Sequence, residues 1–396
     1  MRPQWEVADV LHLVAEQLKE DPSLPQVVKK TITDILQCRT SALGGHLLEC
    51  PNCKYTVISY NSCRNRHCPK CQYSKREQWL LDRSVDVLPV RYFHVVFTLP
   101  HLLNPVAKAF PRVVYHALFH AAWMTIQTLS MDPKWLGAHS AMIALLHTWG
   151  QNLSFHPHLH CIIPQGGFVP QLNRWVYAYH RKMLFPVRVI SALYRRFFLD
   201  LLQQAFSNKQ ILWSLTDWNT LMQKAQSKSF NVFAKLPFTG PHKVLEYLSR
   251  YSHRVAISNQ RLIHVSKESV QFSYRDYRDG NSKSMSLAPM EFARRFLQHV
   301  LPKGFAKIRH YGFLSNKANE VYMPAILAFF ERRRPAKIRF DLIEHFINIF
   351  NTDLSICPHC HKSKLLPIAQ LPPARGDPSC IISRHLLNNI SIPIDF

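Results

Sequence analysis

The stretch FHPHLHC, at positions 155–161, places three histidines at alternate positions. Alternate side chains of a β-strand point to the same face, so His156, His158 and His160 would share one face of a sheet. Imidazole nitrogens on one face can bind a divalent metal ion. The other interpretation is that these histidines are ordinary buried residues, and the stretch by itself is compatible with both.

Two tyrosines recur four positions apart in the segment EYLSRYSHR, which is predicted to be helical. One helical turn places Tyr247 and Tyr251 on the same face, about 6 Å apart along the axis. Packing into a core is the commoner use of such a pair. Here Arg250, His253 and Arg254 surround it, and this basic setting favours phosphate chemistry or base stacking over burial.

Cysteines form a second group of residues that can do chemistry. Six of the ten lie between positions 38 and 71, and a separate pair lies at Cys357 and Cys360. Two C-x-x-C pairs with a 14-residue spacer are typical of sites in which four thiolates hold a structural zinc ion, although buried or redox-active thiols are the alternative. The predicted zinc ligands are Cys50, Cys53, Cys68 and Cys71. Four further residues either form a second zinc site or are ordinary core and loop residues: Cys38, His46, Cys63 and His67.

The charge of the chain limits its partners. Its 49 Lys and Arg residues exceed its 25 Asp and Glu residues, giving a formal net charge of +24 and an isoelectric point of about 9.8. Such an excess indicates a polyanionic partner, above all nucleic acid. A membrane protein is disfavoured because no apolar stretch approaches the roughly 20 residues that cross a bilayer. The opening segment MRPQWEVADVLHLVAEQLKE has no signal-peptide core, so a cytoplasmic location is expected.

Strands and helices that would position these residues alternate along the chain. Strands are predicted at 91–100 and 138–151, on either side of helical segments at 104–129. A hairpin turn is predicted at 153–157, followed by the strand HLHCII. Beyond it, the pattern predicts a helix at 189–206, a strand at 230–238, and a hairpin that turns at Asp279 and Gly280.

The motif His158-Leu159-His160, followed downstream by Tyr247 and Tyr251, resembles the histidine–hydrophobic–histidine (HUH) motif and tyrosine helix of the two-tyrosine HUH endonucleases. The cysteine segment YNSCRNRHCPKCQ and the segments YLSRYSHRVAISNQRL and EFARRFLQHVLPKGFAKIRHYG extend the likeness. Over residues 35–315 the chain is similar to the rolling-circle transposases of insertion-sequence-91-like elements. The CPHC pair near the other end resembles one found near the end of such proteins.

This resemblance implies an α+β fold. An HUH endonuclease core, an antiparallel sheet flanked by helices, would follow a small helical zinc-binding module. The expected domains are a helical, cysteine-rich DNA-binding domain at 1–90, the endonuclease domain at 91–315, and an extension at 316–396 with the CPHC pair.

The resemblance also implies a chemistry. Mg²⁺ or Mn²⁺ held by His158 and His160 would polarise a phosphodiester of single-stranded or extruded DNA, and a tyrosine would attack it. The third metal ligand of the family is usually an amide or carboxylate on a neighbouring strand. Gln151 is preferred to His156, because a proline at position 157 would break the alternation that brings His156 to the shared face.

Two other functions are open at this point. A plasmid or phage replication initiator, or a relaxase, shares the same nick-and-join site; a fused helicase would favour it, and the chain contains no G-x-x-x-x-G-K-[ST] loop. A zinc-ribbon DNA-binding protein without catalysis would use the histidines and tyrosines as core residues.

Overall fold

The computed structural model of the protein describes residues 3–179, 183–238, 240, 243–245, 247, 254–276 and 279–374. In chain order its helices are α1 Val7–Glu20, α2 Gln26–Gln37, α3 Tyr73–Ser84, α4 Asn104–Ala109, α5 Pro111–Met131, α6 Val187–Ser207, α7 Leu215–Gln226, α8 Pro289–Leu297, α9 Asn316–Phe329 and α10 Leu342–Phe350. Residues 243–245 and 247 are also helical. The strands are β1 Gly45–Glu49, β2 Thr56–Tyr60, β3 Tyr92–Thr98, β4 Ala141–Trp149, β5 Phe155–Pro164, β6 Gly167–Val169, β7 Arg174–Val176, β8 Val232–Phe238, β9 Leu262–Val265, β10 Val270–Arg275, β11 Ser282–Leu287, β12 Ile308–Gly312 and β13 Leu366–Leu371.

The chain forms two compact units, neither of which is continuous in sequence. Residues 1–79, 253–300 and 338–396 make up the first, the cysteine unit. Residues 80–252 and 301–337 make up the second, the histidine unit. The domain division predicted from sequence is 1–90, 91–315 and 316–396. It differs from the two observed units because residues 253–300 and 338–396 belong to the same unit as the N-terminal residues. Sequence periodicity reports local structure and carries no information on such long-range packing.

A five-stranded sheet with the order β12-β4-β5-β3-β8 forms the centre of the histidine unit, and every neighbouring pair is antiparallel. One face of this sheet packs into a hydrophobic core that also contains side chains of α5 and α6. The residues that β5 contributes to this core are Phe155, Leu159, Cys161 and Ile163. Because alternate residues of a strand point to opposite faces, the histidines of β5 lie on the other face.

The cysteine unit has two three-stranded antiparallel sheets, β13-β1-β2 and β11-β10-β9, and the helices α1, α2 and α8. Helix α1 packs against α2 and α8. Its first residue is fixed by a hydrogen bond from the Val7 amide to the Asn259 side chain at 3.1 Å. A half-buried ion pair between Lys70 and Glu6, 2.8 Å apart, lies within the same unit.

The predicted fold class is confirmed: antiparallel sheets flanked by helices, with a cysteine-rich segment near the start of the chain. The predicted turn at 153–157 lies slightly earlier, at residues 150–154, where the Gly150 amide donates to the Ser154 carbonyl at 2.9 Å. Pro157 lies inside β5 and does not break its alternation. Its carbonyl accepts a hydrogen bond from the Leu99 amide, just past the end of β3. On the other side of β5, the pairing with β4 has a register shift between His147 and Trp149.

Among the described residues, no helix combines the length and the apolar character that a membrane crossing requires.

Candidate functional site

Four histidines meet on the face of the five-stranded sheet opposite the core. They come from three adjacent strands: His94 on β3, His147 on β4, and His158 and His160 on β5. His147 lies directly opposite His158 in the antiparallel register. The β4–β5 hairpin and the pairing of β3 with β5 therefore bring these imidazoles together on one sheet face.

Three of the histidines, His147, His158 and His160, have ring nitrogens within 4.8 Å of one another. The Nδ1 of His158 lies 2.7 Å from the His156 carbonyl, so Nδ1–H donates and Nε2 keeps its lone pair. That Nε2 lies 3.1 Å from the Nε2 of His160. Nitrogen lone pairs facing one another across this distance suit a bound cation, and the donor set fits a divalent metal ion.

Burial keeps these imidazoles neutral. It lowers the pKa of His158 to about 4, and burial together with the positive charge of Lys235 lowers the pKa of His94 to about 3. Burial is the main reason that the pKa of His160 lies well below its ordinary value, and the neighbouring histidines lower it further. Neutral imidazoles at pH 7 are the form that binds metal ions.

Tyr247 lies against this cluster. Its hydroxyl is 2.8 Å from the Nε2 of His94 and 2.9 Å from the Nδ1 of His160. The two ring nitrogens are themselves 3.0 Å apart. The phenol ring also contacts Phe238, with ring centroids 5.1 Å apart. A tyrosine hydroxyl, a histidine cluster and a metal-binding geometry thus occupy one place in the histidine unit, while Tyr251 lies outside the described residues.

The structure offers a candidate third ligand different from the one expected from sequence. Gln151 is exposed in the β4–β5 turn, whereas His147, four residues earlier, completes the group with His158 and His160. The ring of His156 lies nearest the ring of His158, at 5.2 Å, and that of His101, at 5.3 Å, and is not part of the group. The sequence holds only part of the signal for His147: a regular hairpin turning at 150–154 pairs position 147 with position 157, and the register shift between His147 and Trp149 moves the partner to position 158.

The cysteines form two groups of four. One contains Cys38, Cys63, Cys68 and Cys71; the other contains Cys50, Cys53, Cys357 and Cys360. In each group the sulfur atoms all lie within 4.8 Å of one another.

The structure therefore does not bring the four predicted zinc ligands together. Cys50 and Cys53 follow β1 at the tip of the β1–β2 hairpin, while Cys68 and Cys71 follow the far end of β2. A strand of five residues is roughly 16 Å long, so the two pairs lie at opposite ends of the hairpin. Cys38 and Cys63 stand beside Cys68 and Cys71, whereas the sequence offered them as ligands of a separate second site with His46 and His67. Neither histidine of that hypothesis belongs to a cysteine group: His46 is exposed on β1, and His67 lies outside both groups.

Two family models match the chain. The family model described as "Transposase zinc-binding domain", built on insertion-sequence-91 transposases, matches residues 10–99, and the model described as "Putative transposase" matches residues 141–321. A protein of Sinorhizobium fredii named "Putative transposase y4qJ" is 41% identical over 393 residues, which cover 95% of this chain and 98% of the relative. The chain belongs to the insertion-sequence-91 transposase family. A second relative of this transposase, the "Transposase for insertion sequence element IS801" of Pseudomonas savastanoi pv. phaseolicola, is 28% identical over 342 residues, 84% of this chain and 82% of the relative. No solved structure matches the chain.

The two family matches cover the two groups of candidate site residues in this transposase. The second match includes His147, His158, His160 and Tyr247, and the first includes all six cysteines from Cys38 to Cys71. Cys357 and Cys360 lie outside both matches. Zinc binding is thus a property of the N-terminal family domain, while the second cysteine group extends beyond it.

The buried histidines predict that metal-free transposase loses stability in acid. Their pKa values are lower in the folded state than in the unfolded chain, so the unfolded state takes up protons first as the pH falls below about 6.5. The stability contributed by neutral imidazoles is fully present above that pH and is lost towards pH 4, by up to about 1.4 kcal/mol per pH unit for each histidine. Thermal unfolding midpoints in EDTA at pH 7.5 and 5.0 give the measurement. His158→Leu should reduce the difference between the two midpoints; a variant as acid-sensitive as the parent chain would contradict the expectation.

Proposed function

We propose that this transposase nicks and rejoins single-stranded DNA through a 5′-phosphotyrosine intermediate, in rolling-circle transposition. The observation that carries the proposal is the hydroxyl of Tyr247, 2.9 Å from a nitrogen of His160, whose other nitrogen faces His158 in the three-histidine group. A nucleophile and a candidate metal centre in contact are the parts that phosphodiester transfer requires.

His147, His158 and His160 would hold the catalytic cation, Mg²⁺ or Mn²⁺. When bound, the ion supplies Lewis acidity to a non-bridging phosphate oxygen and a template for the scissile group. Three imidazoles are a softer donor set than Mg²⁺ prefers, so Mn²⁺ is the better match of the two.

Two neighbouring imidazoles would activate Tyr247. If His160 presents the lone pair of its Nε2 to the cation, its Nδ1 carries a proton and donates to the phenol oxygen. The Nδ1 of His94 is buried with no hydrogen-bond partner among the described residues, so a proton is better placed on Nε2, which also faces that oxygen. Two N–H donors aimed at one oxygen stabilise the phenolate, the reactive form of the nucleophile.

The transfer conserves the phosphodiester. Tyr247 Oη loses its proton and bonds to phosphorus, the bond from phosphorus to the 3′-oxygen breaks, and that oxygen takes up a proton and leaves as a 3′-hydroxyl. The phosphate stays on the 5′ end, linked to the protein. Attack by a 3′-hydroxyl of another strand reverses the step and joins DNA at a new place, so no external energy source is required.

A second tyrosine, Tyr251, would hold a second strand in the same way, one link for donor and one for target. This role rests on the sequence motif, since the residue lies outside the described part of the chain.

The nature of the DNA follows from the site and the charge. The scissile phosphate must reach a cluster lying on a sheet face, which favours single-stranded or extruded DNA over an intact duplex. The net charge of +24 supplies sequence-independent attraction to the backbone, and the exposed Lys235 lies on the same sheet face as the histidines.

A covalent adduct is the test of the proposed function. The full chain, incubated with labelled single strands of the DNA that flanks its coding region and with MnCl₂, should form a complex that survives boiling in detergent. The same strands annealed to their complements, and reactions in EDTA, should give at least about tenfold less of it. A protein that binds the strands but forms no adduct with any divalent ion would be a DNA-binding protein without catalysis, and the proposal would fail.

A further inference from the structure

The last cysteine pair of the chain lies beside the first C-x-x-C pair. The sulfur atoms of Cys50 and Cys360 are 3.6 Å apart, and those of Cys53 and Cys357 are 3.7 Å apart. All four cysteines are free thiols, and Cys50 and Cys357 are fully buried. A disulfide would need sulfur atoms about 2.05 Å apart, so the pairs are not oxidised partners. A tetrahedral zinc with Zn–S bonds of about 2.3 Å places its sulfur ligands roughly 3.8 Å from one another, close to the observed spacing.

The two pairs sit in turns of matching backbone geometry. The Lys54 amide donates to the Cys50 carbonyl at 3.0 Å, and the His361 amide donates to the Cys357 carbonyl at 3.0 Å. Lys54 and His361 both have positive φ, 59° and 54°. Each therefore follows its second cysteine in the left-handed region, which non-glycine residues seldom adopt. Two unrelated segments with the same costly turn, facing one another through four thiols, indicate a shared ligand.

Strand pairing explains why the distant pair arrives at this place. Strand β13 runs antiparallel to β1, with Leu366 opposite Glu49 and Leu371 opposite Gly45. The residues just before β13 are therefore brought to the same end of β1 as the residues just after it. A bridge between Ile356 and Lys364 closes the second turn. The rings of Tyr55 and His359 stack between the turns, 5.7 Å apart and nearly parallel.

We propose that Cys357 and Cys360 complete a tetrathiolate zinc site with Cys50 and Cys53, so that the C-terminal segment closes the zinc-binding unit. Cys38, Cys63, Cys68 and Cys71 form the other site, and the chain binds two zinc ions. The N-terminal family domain supplies six of the eight ligands. The second site is thus complete only when Cys357 and Cys360 join Cys50 and Cys53. The zinc ion bound there would link the turn before β13 to the β1–β2 hairpin.

The zinc content of the full chain tests the proposed shared site. Native mass spectrometry should find two zinc ions in the parent chain and one in the double variant C357S/C360S. The double variant C63S/C71S, which opens the other site, should also keep one. His359→Ala changes the same turn without removing a thiol and should keep two, which serves as the matched control. Two zinc ions retained by C357S/C360S would overturn the proposal.

Thiol reactivity gives a second measurement, independent of whether a variant folds. The unmodified chain is treated with a chelator in steps, and exposed thiols are alkylated and mapped by mass. Cys50, Cys53, Cys357 and Cys360 should become reactive together as one zinc ion is lost, with the other four thiols protected or released in a separate step. Release of Cys50 and Cys53 in a different step from Cys357 and Cys360 would show that they do not share an ion.

Discussion

Tyr247→Phe should lose the covalent DNA adduct at the histidine cluster, with a rate below about one-thousandth of that of the parent chain, the order expected when a covalent nucleophile is removed. Phe lacks only the hydroxyl that lies within 2.9 Å of both His94 and His160. The ring, whose centroid is 4.7 Å from that of His94, keeps its packing. The defect would therefore report chemistry, since the cost in stability is limited to the lost hydrogen bonds, roughly 1–3 kcal/mol. Adduct formation on single-stranded DNA with MnCl₂ gives the rate, and peptide mapping gives the point of attachment.

Two further variants distinguish this role from a general effect of losing a tyrosine hydroxyl. Tyr177→Phe removes the hydroxyl of a tyrosine that is 56% exposed, and it should form adduct at the parent rate. Tyr251→Phe should keep the first adduct but lose complete strand transfer, because one tyrosine alone cannot hold two strands. An adduct that maps to a peptide without Tyr247 in the parent chain would remove this residue from the proposed mechanism.

The histidine site could be predicted from sequence to the extent that it depends on local alternation. His158 and His160 are two apart on one strand, so their shared face follows from the geometry of any strand. His94 and His147 belong to neighbouring strands, and their arrival depends on register. A turn at 153–157 would have paired position 147 with position 163, whereas the turn at 150–154, together with the one-residue register shift between His147 and Trp149, pairs it with position 158. An error of three residues in one turn, and a register shift that periodicity does not report, thus concealed His147 as a candidate third ligand.

The cysteine groups show a different limit. C-x-x-C pairs are local, so the sequence indicates Cys50 with Cys53 and Cys68 with Cys71 as halves of a metal site, but it gives no ligand role to Cys357 and Cys360. Which halves combine depends on the path of the chain between them: the β1–β2 hairpin separates pairs that are close in sequence, and β13 brings in a pair about 300 residues away. Spacing rules that assume one continuous ribbon cannot contain this information. The same long-range pairing with β1 places the residues after 338 in the cysteine unit.

His147→Leu should weaken Mn²⁺ binding by more than about 100-fold, while Gln151→Ala should change it by less than about twofold. His147 is 4% exposed and pairs with His158, and Leu replaces its bulk without supplying a ligand atom. Gln151 is exposed in the turn, so its truncation leaves the three imidazoles in place. Titration calorimetry with MnCl₂ gives the affinities, and the adduct rate should follow them. DNA binding by both variants should persist, since most affinity comes from dispersed Lys and Arg contacts with phosphates. The reverse pattern, with metal affinity lost in Gln151→Ala and kept in His147→Leu, would return the third ligand to the amide expected from the sequence resemblance.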